Sequence, residues 1–192
     1  MPPAAPEPAA RWRLFLALPV PAAVGARLWQ ALAPLRVRHS DVRWTPTEQY
    51  HLTLVFLGSR EASLVDRIVA ASAGVAAGWA PFEVGTGEAG GIGGGRRGGV
   101  AWLRLAAGRE AVARLSLELD AALDSAIYDA SAHPRPHLTL GRRIDDGVLA
   151  DLRAEQDRLR IGWRTDSVVL YRSHTDAAGS RYEALAELPL GG

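Results

Sequence analysis

A chain of 192 residues that is 48% hydrophobic has enough apolar surface for a packed domain. Its 22 basic residues are all arginine and meet 21 acidic ones; the net charge of +1 excludes nucleic-acid binding driven by bulk charge, although a local arginine cluster could still grip phosphate through its guanidinium forks. With no cysteine, disulfides, thiol catalysis and cysteine-held metals are excluded as well.

Residues 1–10, MPPAAPEPAA, are rich in proline and alanine and read as a disordered N-terminal segment before a single domain over 11–192. Arg11-Trp12-Arg13 followed by LFLALPVPAAVGA has the charged and apolar parts of a signal peptide, but two prolines interrupt it and RLFLAL (13–18) serves better as a strand. No apolar run approaches the roughly 20 residues of a membrane helix. A cytoplasmic protein without membrane contact is therefore expected.

A helix follows over 21–35, with Val24, Leu28, Ala31 and Leu32 on one face, and then the string His51-Leu52-Thr53-Leu54. A second helix is expected near 60–77 and a strand at PFEVG (81–85). The glycine-rich stretch 85–99 lacks the G-K-[S/T] ending of a P-loop and reads as a flexible surface loop, with Arg96 and Arg97 as candidates for touching a polyanion. Next come a strand at VAWLRL (100–105), a helix over 109–126 with Val112, Leu115, Leu119 and Leu123 in register, and a second HLTL, His137-Leu138-Thr139-Leu140. A helix near 146–160 and a strand at SVVLY (167–171) close the series.

The two HLTL strings lie 86 residues apart, and each is framed by strand and helix before it and by helix and strand after it. The repeat predicts an α+β fold of two pseudo-symmetric lobes, each a small, mainly antiparallel sheet with helices on its outer face, and a cleft between them. Within a strand, His51 and Thr53 project to one face and Leu52 and Leu54 to the other, and the second string behaves alike. Facing lobes then bring two imidazoles and two hydroxyls together. An isolated strand histidine is an ordinary surface residue; two in a repeated frame point to a general base and a general acid near neutral pH. The hydroxyls suit the non-bridging oxygens of a phosphate. The natural target is a phosphodiester, with one histidine activating water and the other protonating the departing ribose oxygen, without metal.

His133 and His137 have the spacing of a helical zinc pair, but Pro134 and Pro136 make a helix there unfavourable, and no metal or other cofactor is expected. No serine-nucleophile elbow is present. His39 and His174 lack such a context, and His39 reads as solvent-exposed.

The same residues resemble the 2H phosphoesterases, a superfamily defined by paired H-x-[T/S]-x strings, and within it the bacterial and archaeal RNA 2',3'-cyclic phosphodiesterases, also called 2'-5' RNA ligases. RLFLALPVP resembles that family's first strand, VRWTPTEQYHLTLVFLG (42–58) its first motif, HPRPHLTLGR (133–142) its second, and LYRSHTDAAGSRYEAL (170–185) its closing strand pair. The resemblance implies that His51 is the proton donor and His137 the proton acceptor in opening a terminal 2',3'-cyclic phosphate to a 2'-phosphate. It further implies that Thr53, Thr139 and Arg142 bind the phosphate, and that the partners are RNA 3' ends or nucleoside 2',3'-cyclic phosphates, with no obligatory protein partner. Arg143 faces the other way if the strand persists, which leaves open which arginine reaches the cleft. The alternatives are 2'-5' RNA ligation, a cyclic phosphodiesterase for another small nucleotide, and an RNA-binding module without catalysis.

Overall fold

The computed structural model describes residues 10–92, 98–123, 136–176 and 179–191. In chain order its strands are β1 (Arg11–Pro19), β2 (Arg43–Trp44), β3 (His51–Glu61), β4 (Phe82–Ile92), β5 (Gly99–Ala107), β6 (His137–Ile144), β7 (Gly162–Thr165), β8 (Ser167–Asp176) and β9 (Gly179–Pro189). Its helices are α1 (Ala22–Ala31), α2 (Ala33–Arg38), α3 (Val65–Ala77), α4 (Arg109–Ala122) and α5 (Asp146–Ala154).

Several elements differ from the sequence expectation for local reasons. The helix expected over 21–35 restarts after Leu32, because Pro34 near the start of α2 has no N–H to continue the ladder. The helix expected from residue 60 begins at Val65, since β3 continues to Glu61 and a tight 3₁₀ turn intervenes. The helix expected over 146–160 stops at Ala154 and passes into a 3₁₀ turn; its start is capped by the Asp145 carboxylate, which accepts from the Val148 N–H at 2.9 Å.

The glycine-rich stretch is, through residue 92, a strand rather than a loop. Its glycines serve close approach: a Cβ on Gly90 would collide with the Trp102 indole, and one on Gly91 would crowd the Val100 carbonyl oxygen and Leu149. Arg96 and Arg97 lie outside the described residues, as do His133 and residues 1–9; Ala10 accepts a hydrogen bond from the Ala62 N–H at 2.8 Å. Among the described residues no helix is long and apolar enough to cross a membrane.

The described strands form one antiparallel, curled sheet in the order β7-β4-β5-β6-β3-β1-β8-β9, with β2 added on β6. The two lobes meet where Leu52 of β3 pairs with Leu138 of β6. Neither lobe is one contiguous half of the chain: β4 pairs with β5 and β7, whereas β8 pairs with β1. Each half thus lends its third strand to the other lobe, which ties the lobes together through the backbone ladder.

Leu52, Leu54, Leu138 and Leu140 have no exposed surface, so both HLTL strings are anchored in the core through their leucines. Each string ends in a bulge at the same repeat position. On β3, Thr53 pairs with Ala17 and Val55 with Leu16, leaving Leu54 as an extra residue. On β6, Thr139 pairs with Trp102 and Gly141 with Ala101, leaving Leu140 extra.

Both bulged carbonyls find partners outside the main ladder. Leu54 accepts from the Ser116 hydroxyl of α4 at 2.6 Å, and Leu140 from the Thr45 N–H at 2.8 Å. Ser116 is buried, so its hydroxyl is the fastening between α4 and the first motif. Ser116→Ala leaves that buried carbonyl unsatisfied and is expected to cost about 1–3 kcal/mol. For a chain of this size each kcal/mol lowers Tm by roughly 2–4 °C, so thermal unfolding will read the loss directly; an unchanged Tm would remove Ser116 from this role.

Candidate active site

Because paired residues share a face of the sheet, the register fixes what looks into the cleft. His51 and Thr53 on β3 and His137 and Thr139 on β6 are half-buried and line a single cleft of about 640 Å³. Arg142 lines it too, and the bulge at Leu140 explains why. Strict alternation from His137 would turn residue 141 inward; the extra residue shifts the phase, and Arg142 takes that side opposite Val100. Arg143 is the extra residue of a second shift, with a left-handed φ of 62°, and does not line the cleft. The choice between the two arginines thus falls to Arg142.

His51 is held by a backbone bond on one side and by aromatic rings on the other. Its Nδ1–H donates to the Gln49 carbonyl at 2.7 Å, since a carbonyl can only accept, and this leaves Nε2 for a ligand. Gln49 in turn donates through its side-chain amide to the Ser180 carbonyl at 2.6 Å, bracing the first motif against β9. Phe15 and Tyr182 lie around the imidazole with ring centroids 5.0 and 5.1 Å away. Burial among these rings lowers the His51 pKa below the ordinary imidazole value; repulsion from His137 and Arg142 adds to the fall, and the Gln49 carbonyl opposes it. His137 has the Trp102 ring at 5.6 Å.

The sequence did not single out Arg13 or Arg43, yet both line the cleft beside Arg142. Arg13 carried a signal, since it alternates with Phe15 on the opening strand. Arg43 carried none: it enters through β2, whose partner β6 lies far along the chain. Three guanidiniums, two threonine hydroxyls and two imidazoles make a site for an anion with proton donors and acceptors at hand.

The other described histidines, His39 and His174, are not among the residues lining the cleft. His39 is not solvent-exposed as expected: its Nε2 sits 2.9 Å from the Asp151 carboxylate, which Arg38 also binds at 2.9 Å, and the trio joins α2 to α5. These bonds, Arg38 first, hold the Asp151 pKa below its usual range. His174 pairs with Glu183 across β8 and β9 at 2.7 Å. Among the described residues no group of three or more histidine, aspartate or glutamate side chains is placed to hold a metal ion.

Comparison with known proteins agrees with this architecture. The chain matches the Thermus thermophilus protein TT0787 with a TM-score of 0.74 and 26% identity, over 94% of this chain and 98% of that one. Escherichia coli LigT complexed with 3'-AMP matches with a TM-score of 0.72 and 21% identity, over 95% and 100% of the two chains. LigT complexed with ATP gives a TM-score of 0.67 and 21% identity over the same shares, and these LigT likenesses establish a common fold. No curated protein matches the sequence significantly. The model of the 2'-5' RNA ligase superfamily matches residues 21–177, a span that includes both HLTL strands and the helices between them, and the chain therefore belongs to that superfamily of 2H phosphoesterases.

Proposed function

We propose that this protein hydrolyses the 2',3'-cyclic phosphate of RNA 3' ends or nucleosides to a 2'-phosphomonoester without a metal ion. The observation that carries the reading is the placement of both His/Thr pairs on neighbouring strands, joined at Leu52–Leu138 and facing one arginine-rich cleft. The crystallised complexes of LigT with 3'-AMP and ATP support a nucleotide ligand.

In this mechanism Thr53, Thr139 and Arg142 hold the non-bridging phosphate oxygens. His137 takes a proton from water as the water oxygen attacks phosphorus, and His51 gives a proton to O3' as the P–O3' bond breaks. The product keeps phosphate on O2', and the enzyme regains its starting state when the proton on His137 returns to His51 through solvent. The Gln49 carbonyl suits His51 to its part, because fixing Nδ1–H leaves Nε2 to deliver the proton.

The lowered pKa of His51 makes its imidazolium a stronger acid and a scarcer one. It also favours a second reading in which the neutral ring is the acceptor and His137 the donor. Single variants separate the two. With His51 as donor, its loss flattens the alkaline limb of the pH profile and loss of His137 flattens the acidic limb; the reverse pattern exchanges the roles.

The shift also sets where the limb falls. The free enzyme loses the His51 proton as pH rises through a pKa below the ordinary value of about 6.5, so the alkaline limb of kcat/KM lies on the acid side of that value. A bound phosphate anion opposes that loss, and the corresponding limb of kcat lies at higher pH. Coincident limbs in the two profiles would contradict this assignment.

Turnover of adenosine 2',3'-cyclic phosphate in EDTA, with the product isomer identified by ³¹P NMR, tests the function itself. His51→Ala and His137→Ala are each expected to lower kcat by roughly 10²–10⁴-fold while remaining folded. Near-wild-type activity in either variant, or activity lost with EDTA and restored by zinc, would overturn the mechanism.

Thr53→Val and Thr139→Val keep the β-branched shape and delete the donor; by analogy with oxyanion-hole deletions each should lower kcat by up to roughly 10²–10³-fold. Unchanged kinetics in both would place these hydroxyls away from phosphate.

A further inference from the structure

The cleft holds more positive charge than one cyclic phosphate can balance. Arg13, Arg43 and Arg142 line it, and among its described lining residues there is no aspartate or glutamate. A 2',3'-cyclic phosphate is a diester and carries a single negative charge. Two of the cations are also direct cross-strand partners, since Arg43 of β2 stands opposite Arg142 of β6. Like charges in that relation repel, and a second anion beside the first relieves the repulsion.

The three guanidiniums are committed differently. Arg142 is brought beside the His/Thr pairs by the bulge at Leu140, and Arg13 lies over the Phe56 ring at 4.8 Å from its centroid. Arg43 instead reaches the β8–β9 end of the cleft, where its guanidinium lies against Gly179. A Cβ at Gly179 would collide with it, so the absent side chain is what admits the cation. Thr175 and Ser180 pair across β8 and β9 at this end and line the cleft, as does Ser173 on the same face. Among the described residues no carboxylate pairs with Arg43, and the Thr175 and Ser180 hydroxyls make no hydrogen bond to another described residue. Glu183 lies on the opposite face of the hairpin, where His174 and Arg172 bind it.

On the cyclic-phosphate reading given above, we propose that Arg43, with Thr175 and Ser180, holds a second phosphate, the one on O5' of the nucleoside whose cyclic phosphate is opened. Arg142 and the two motif threonines then face the scissile group, and Arg43 faces the phosphate across the ribose from it. An RNA terminus carries that phosphate as its last internal diester, a nucleotide carries it as a 5'-phosphomonoester, and a nucleoside 2',3'-cyclic phosphate lacks it. The guanidinium fork fits the oxygens of either form. The protein accordingly favours substrates phosphorylated on O5' over the bare nucleoside.

The test compares kcat/KM for adenosine 2',3'-cyclic phosphate, for the same compound with a 5'-phosphomonoester, and for the dinucleotide in which O5' is joined to a second adenosine through a 3'-5' diester. Wild type should favour the two O5'-phosphorylated substrates by roughly tenfold or more, the scale of one charge-assisted hydrogen-bonded contact. Arg43→Gln should erase the advantage, and Arg43→Lys, which keeps the charge, should retain most of it. A larger advantage for the diester names RNA as the source of the phosphate, and a larger one for the monoester names a mononucleotide. No advantage in wild type, or an advantage that survives Arg43→Gln, would end the proposal. If wild type hydrolyses none of the three, the cyclic-phosphate reading fails by itself, and calorimetry decides the subsite. Adenosine 2',5'-bisphosphate binding roughly tenfold tighter than adenosine 2'-phosphate, with the difference lost in Arg43→Gln, supports it; equal affinities in wild type, or a difference unchanged by Arg43→Gln, refute it.

Discussion

The structure depends on burial of the leucines in its two HLTL strings. Leu52 and Leu138 pair where the lobes join, and Leu54 and Leu140 are the extra residues of the two bulges; all four lie wholly inside the core. Their anchoring fixes which way the histidines and threonines point, because a slip of one residue would exchange core and cleft faces along the whole strand. The bulges then let two consecutive residues face the core and carry Phe56, opposite Phe15, and Arg142, opposite Val100, to the cleft side. A packing constraint of a few leucines therefore decides the composition of the cleft.

Keeping the bulges has a hydrogen-bond requirement, and the halves meet it with different parts. Ser116 on α4 satisfies Leu54, and the Thr45 N–H beyond β2 satisfies Leu140. The second solution draws in β2, and with it Arg43, so closing a backbone bond also supplies a cation to the cleft. His51 sits among Phe15 and Tyr182 with its Nδ1–H committed to a carbonyl, and burial there lowers its pKa.

The repeat, the alternation within HLTL and the bilobal α+β plan could all be read from the chain, because each is carried by residues close together in sequence. The phase shift after each motif could not. In LTLVFLG both Val55 and Phe56 are apolar, so alternation does not say which enters the core, and in LTLGRR two adjacent arginines leave the same ambiguity. The exchange of β4 and β8 between lobes escaped for a related reason: strand partners are chosen by non-local pairing that periodicity does not encode. The glycine-rich stretch misled in the opposite direction. Its residues through 92 suggested a loop, whereas glycine there admits Trp102 and Leu149 against the backbone of a strand.

The most direct measurement of the whole account is a crystal structure with adenosine 2'-phosphate bound. This arrangement predicts phosphate between the Thr53 and Thr139 hydroxyls, within reach of Arg142 and of the His51 Nε2. A phosphate seated away from both threonines, or a ligand lying outside the cleft between β3 and β6, would contradict it.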